Sequence, residues 1–177
     1  MPACDVCNGG TSTADLTVAI VSRWNHLPMG GDLSDHKRLT NRLRKQAPEV
    51  VNEWYLDPFE QIGPRQHLRN NGVAVPYGAG VVRMGTYTVR QLNLFANKAV
   101  LALYFEHFKA PLHSTGAVCA LWRSKEDFAR DGIPRELLDL FPGHAALIQG
   151  KWDERRTFEY RHNGNPDEGL FMCFARL

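Results

Sequence analysis

Tyr87-Thr-Val-Arg-Gln-Leu-Asn-Leu-Phe-Ala-Asn-Lys-Ala-Val-Leu-Ala-Leu-Tyr-Phe-Glu-His-Phe108 is the stretch that decides the fold class. Leu92, Ala96, Ala99, Val100 and Leu103 fall on one helical stripe, and Leu94, Phe95, Leu101, Tyr104, Phe105 and Phe108 cover much of the remaining surface. A helix that is apolar nearly all round is normally wrapped on several sides, so this one is expected to form the centre of the core.

Toward the N-terminus the pattern is also helical. Ser12 and Asp15 form an S-x-x-D capping pattern before Leu16, Ala19, Ile20 and Trp24. The stretch from His26 to Asp32, with Pro28, Gly30 and Gly31, reads as a loop. Ser34 is expected to cap a second helix running to about Gln46, with Leu39 and Leu43 inward. Pro48 suits the first turn of a third helix carrying Val50, Val51, Trp54 and Tyr55. Asp57-Pro58-Phe59-Glu60 predicts another short helix, and Val81-Val82-Arg83-Met84 a short strand.

Toward the C-terminus the period changes. Ala117–Trp122 reads as a short β-type run, Ser124 with Asp127 as a capped turn, and Pro134 as the start of a helix with Leu137, Leu138 and Leu140. Arg156, Phe158, Tyr160 and His162 alternate with Arg155, Thr157, Glu159 and Arg161. A turn-rich segment from His162 to Gly169 then leads to Leu170-Phe-Met-Cys-Phe-Ala-Arg-Leu177, so the pair predicts a hairpin. The expected fold is α+β, mainly helical, with a long central helix and a small antiparallel C-terminal sheet. The expected organisation is a knuckle and short helix over 1–25, followed by a single α+β domain over 26–177. The chain stops inside the second hairpin strand with no polar tail, so both ends are expected to be cut.

With 177 residues, 44% hydrophobic and 23% charged, the chain has the composition of a globular domain able to bury a core. No apolar run approaches 18 residues, which excludes a helical membrane span, and the polar N-terminus is unlike a signal peptide. Cys4, Cys7, Cys119 and Cys173 without an export signal point to reduced thiols or a metal, hence to a cytoplasmic setting. Cys119 and Cys173 lie in apolar, strand-like surroundings, where packing as small hydrophobes is the default.

The net charge of +2 is unremarkable, but five of the nine residues from Lys37 to Lys45 are basic: Lys37, Arg38, Arg42, Arg44 and Lys45. Such a cluster is either a solvated helix face or a contact for an anionic partner such as nucleic-acid phosphate. Arg155, Arg156, Arg161 and His162 form a second cluster, either part of a nucleic-acid-facing strand or, with Phe158 and Tyr160 as the inward face of the hairpin, a normal edge pattern with Arg155 and Arg161 on the solvent side.

Cys4-Asp-Val-Cys7-Asn8-Gly9-Gly10 is a C-x2-C knuckle. Two thiolates can grip one edge of a zinc ion, while a closed structural site needs four ligands. The alternatives are two unpaired thiols or a redox pair; the latter lacks the strand that normally precedes it. His26 and His36 are nearest in sequence and show no H-x3-H spacing. His107, following the apolar stripe, reads as a packed or hydrogen-bonded core histidine.

Pro2-Ala3-Cys4-Asp5-Val6-Cys7-Asn8-Gly9-Gly10-Thr11-Ser12, followed by a helix, resembles the second half of the HNH (His-Me finger, ββα-metal) endonuclease motif. The resemblance implies a DNA-associated protein with structural zinc held in part by Cys4 and Cys7. It also implies Mg2+ or Mn2+ for catalysis, and places Asn8 at the polar position that helps orient the histidine or metal. The family's catalytic histidine lies on a strand upstream of the knuckle, as do the remaining zinc ligands. That histidine activates water while the cation stabilises the leaving oxygen. Only three residues precede Cys4 here, so this chain alone is expected to be inactive. A non-enzymatic reading stands beside it: an interaction module that docks a protein partner or a second copy through the basic helix or an open sheet edge.

Overall fold

The structure, a computed structural model, describes residues 10–23, 31–55, 69–70, 73–74, 84–122, 132–147 and 158–175. Among these the elements in chain order are α1 (Ser12–Val21), α2 (Gly31–Gln46), α3 (Pro48–Glu53), β1 (Arg69–Asn70), β2 (Val73–Ala74), α4 (Thr86–Phe108), α5 (Arg135–Leu140), β3 (Gly143–Leu147), β4 (Phe158–Asn165) and β5 (Leu170–Ala175). The architecture is α+β and mainly helical, with a three-stranded antiparallel sheet near the C-terminus. Contacts divide the chain into two compact units, Pro2–Ala96 and Asn97–Leu177, and α4 runs through the boundary.

In the first unit α1, α2 and α3 share one core of Leu16, Ile20, Leu43, Ala47, Val50, Val51 and Trp54. Helix α1 packs against α2 and contributes Leu16 and Ile20 to this common interior. Pro48 explains the break between α2 and α3. A residue before proline is pushed out of the helical region, and Ala47 sits at φ −149° and ψ 73°. The Ala47 amide still closes α2 on the Leu43 carbonyl at 2.8 Å, and Pro48 occupies the first turn of α3, where its missing N–H costs nothing.

The predicted helix starts shift by a few residues. Thr11, not Ser12, precedes α1, and its side chain makes no cap bond. The second helix begins at Gly31 rather than at Ser34. The helix expected at Asp57, most of the strand expected at 81–84, and the turn expected at Ser124 lie outside the described residues; Met84 itself is exposed and not in a strand.

The long helix α4 is present, but its apolar coat is less covered than a fully wrapped core helix requires. Thr88, Leu92 and Leu103 are buried, whereas Val89, Leu94 and Leu101 are exposed. Its first turn is tied to α3 by the Glu53 carboxylate, which accepts from the Tyr87 and Thr88 amides at 2.9 and 2.8 Å. Acceptors at a helix N-terminus satisfy amides that have no partner within the helix. Its last turn ends at Lys109, whose positive φ of 52° and amide bond to the Phe105 carbonyl at 2.8 Å form a left-handed cap.

In the second unit β4 is the central strand of the order β3-β4-β5, not an edge. It pairs antiparallel with β3 (Tyr160 opposite Ala145) and with β5 (His162 opposite Cys173). The hairpin turn over 166–169 closes with the Gly169 amide on the Pro166 carbonyl at 3.1 Å, and Gly169 takes the positive φ of 62° that glycine adopts without strain. The run Ala117–Trp122, expected as β-type, is not a strand: Leu121, Trp122 and Cys119 are exposed, and no described strand pairs with it. A β pattern becomes a strand only where another segment supplies the opposite half of the ladder. Strand β3, Gly143-His-Ala-Ala-Leu147, is a short run that its sequence does not announce.

Candidate nucleic-acid interface

Four of the five cations predicted in the Lys37–Lys45 cluster share one face. Ser34, Lys37, Arg38, Asn41, Arg42 and Lys45 line a shallow groove along α2. At about 100° per residue these six positions span an arc of roughly 140°. Leu43, fully buried, points the opposite way into the shared core. The helix therefore fixes the basic face by anchoring its other side.

Arg38 pairs with Asp35 at 3.2 Å, an exposed i,i+3 contact whose energy is small. Among the described residues, Lys37, Arg42 and Lys45 have no acidic partner. Arg44 borders this face without lining the groove. Its guanidinium donates to the Tyr55 hydroxyl at 2.9 Å and to Asn41 Oδ1 at 3.4 Å, which ties the end of α2 to the residue two past α3. From Lys37 to Lys45 the face extends about 12 Å along the helix axis.

A second cluster lies in the other unit. His107, near the end of α4, has its ring centroid 4.1 Å from that of His162 and 5.2 Å from that of Phe171. His107 Nε2 and the Tyr160 hydroxyl are hydrogen bonded at 3.0 Å, a contact in which either atom can donate. Tyr160, His162, Gly164, Phe171 and Cys173 lie on the same face of the sheet by strand alternation and register. Tyr104 and Phe108 stand edge-on to Phe171. Gly143 lies under the His162 ring so closely that a Cβ there would fall 2.5 Å from Cε1, so the approach needs glycine.

Burial sets the electrostatics of this cluster. It holds the His107 imidazole below its ordinary range, and His162 pushes in the same direction. Burial also raises the Tyr160 hydroxyl and the Cys173 thiol. Outside the cluster, the hydrogen bond and charge of Lys109 at 2.7 Å hold Glu106 below the usual carboxylate range. Period-two spacing already placed Tyr160 and His162 on one face; the position of His107 against them is a tertiary fact that no local pattern carries.

Cys4, Cys7 and Asn8 lie outside the described residues, as does His26. Among the described residues no three His, Cys, Asp or Glu side chains converge to hold a metal. Cys119 is exposed and Cys173 half-buried, and neither forms a disulfide. No described helix is long and apolar enough to cross a membrane. Comparison with protein-family models, curated proteins and solved structures finds no match to the chain.

Proposed function

We propose that this protein associates with nucleic acid, DNA in the first instance, through the Lys37–Arg38–Arg42–Lys45 face of α2. The observation that carries the reading is the opposition of that face to the buried Leu43, which presents four cations together and away from the core. Four cations on one face can neutralise up to about four phosphates. Ser34 and Asn41 add polar groups suited to phosphate oxygens on the same groove. Exposed lysines and arginines pair with phosphates whatever the base sequence, so the expected contact is mainly with the backbone.

The resemblance at residues 2–12 extends this reading to an HNH-related protein with zinc at Cys4 and Cys7 and cleavage supported by Mg2+ or Mn2+. The described residues supply no ligand set for either metal, so no cleavage step is assigned to them. Zinc content of the purified chain and nicking of plasmid DNA with Mg2+ or Mn2+ test that extension separately.

The test of the binding reading is a titration of duplex DNA at several salt concentrations. Four phosphate contacts predict a log K against log salt slope of about −3 to −4. The K37A/R38A/R42A/K45A chain should bind weakly and with a slope near zero. Binding that is absent at low salt, or unchanged in that variant, would sink the proposal. Salt-insensitive self-association or capture of one protein would favour the interaction-module reading instead.

A further inference from the structure

We propose that His107 and His162 form a proton-operated clasp between the C-terminal part of α4 and the β4–β5 hairpin, closed with neutral imidazoles and opened when both take up protons. The two rings lie with centroids 4.1 Å apart, inclined at 42°. Phe171 flanks both, at 5.2 Å from His107 and 6.3 Å from His162. This contact joins the end of the helix to the sheet together with the bond between His107 and Tyr160. Two imidazolium rings at such a separation repel, by about fivefold in an equilibrium constant even at the dielectric of water.

The groups around the pair offer little to offset a second charge. On α4, Glu106 acts on His107 but is engaged with Lys109 at 2.7 Å. On β4 the facing titratable groups are Tyr160 and His162 itself; on β5 it is Cys173; β3 contributes Gly143, which carries none. Burial holds the Tyr160 hydroxyl and the Cys173 thiol in their neutral forms well above neutral pH. Protons nevertheless have a route to the rings. A pocket of about 200 Å³ is lined by His107, His162, Phe108, Gly164, Pro166 and Phe171.

The direction of the pH effect follows from the cluster. Burial, and then His162, place the His107 value in the folded chain below its ordinary one, so the unfolded or detached state binds more protons. The stabilising contribution is complete above the unfolded value of about 6.5 and is lost as pH falls below it. Opening would expose Tyr104, Phe108 and Phe171, an aromatic surface that is partly covered in the closed form.

Hydrogen exchange of the full chain at pH 7.5 and 5.0, corrected for intrinsic rates, tests the clasp. Peptides covering 100–110 and 158–175 should lose protection together by about fivefold or more at pH 5.0, with α1–α3 peptides unchanged. H162Q, which leaves one titrating ring, should reduce that loss to less than half. Equal protection at both pH values, a loss spread evenly over α1–α3, or an unchanged loss in H162Q would overturn the proposal. Should H162Q fail to fold, the Cε1–H resonances of the wild-type chain decide: mutually dependent titrations of His107 and His162 support the clasp, and two independent single-step titrations refute it.

Discussion

Glu53 holds Thr88 at two points: its Oε2 accepts from the Thr88 amide at 2.8 Å and from the Thr88 hydroxyl at 3.0 Å. The same hydroxyl accepts from Trp54 Nε1 at 2.9 Å, so the fully buried Thr88 spends both its donor and an acceptor on the last residue of α3 and the one after it. Glu53 thus serves as a cap supplied from more than thirty residues away. It fixes where α4 begins and joins that start to the α1–α3 core through Trp54.

Thr88→Val keeps the shape and removes both side-chain bonds, leaving the Trp54 indole N–H buried without that partner. A cost of about 1–3 kcal/mol is expected in urea unfolding. Glu53→Ala, which strips the acceptor from two helix amides, should cost about 0.5–2 kcal/mol, as for the loss of an N-cap.

The position of the core separates two leucines that a helical wheel treats alike. Leu43→Ala should cost about 2–5 kcal/mol, because Leu43 is completely buried among Leu16, Ile20 and Val50. Leu94→Ala, at 38% exposure on α4, should cost less than about 1 kcal/mol. Reversal of that order in chemical denaturation would show that α4 is the principal core element.

The basic cluster divides in the same way. Arg42→Ala should lower the salt slope of DNA binding by about one, with little change in stability. Arg44→Ala should change the slope less and loosen the contact between α2 and Tyr55, which limited proteolysis at the end of α2 would register.

Thiol chemistry offers a direct check of burial. Cys119 is exposed, whereas burial raises the Cys173 thiol and keeps it protonated near neutral pH. Peptide mapping after brief alkylation at pH 8 should find Cys119 modified and Cys173 spared. Addition of denaturant should bring Cys173 up to the rate of Cys119.

The class of the fold was legible because its signals are local. The periodicity from Tyr87 to Phe108, the proline at 48 and the alternation through Phe158, Tyr160 and His162 each report on neighbours a few residues apart. Ala117–Trp122 shows the limit of that logic. Its composition fits a strand, yet a strand exists only where another segment supplies the opposite half of the ladder. Strand β3 is the converse case: Gly143-His-Ala-Ala-Leu147 has weak β preference and is a strand because β4 pairs with it residue by residue.

The candidate site divides along the same line. The sequence by itself determined that Lys37, Arg38, Arg42, Arg44 and Lys45 cluster and that Leu43 lies on the other side, since both follow from helical spacing. Only the tertiary structure decided that Arg44 turns to Tyr55, that Glu53 caps α4, and that His107 meets His162. Those contacts join residues 11, 34 or 35, and 55 positions apart, and such pairings arise from the packing of whole elements, which no local pattern encodes.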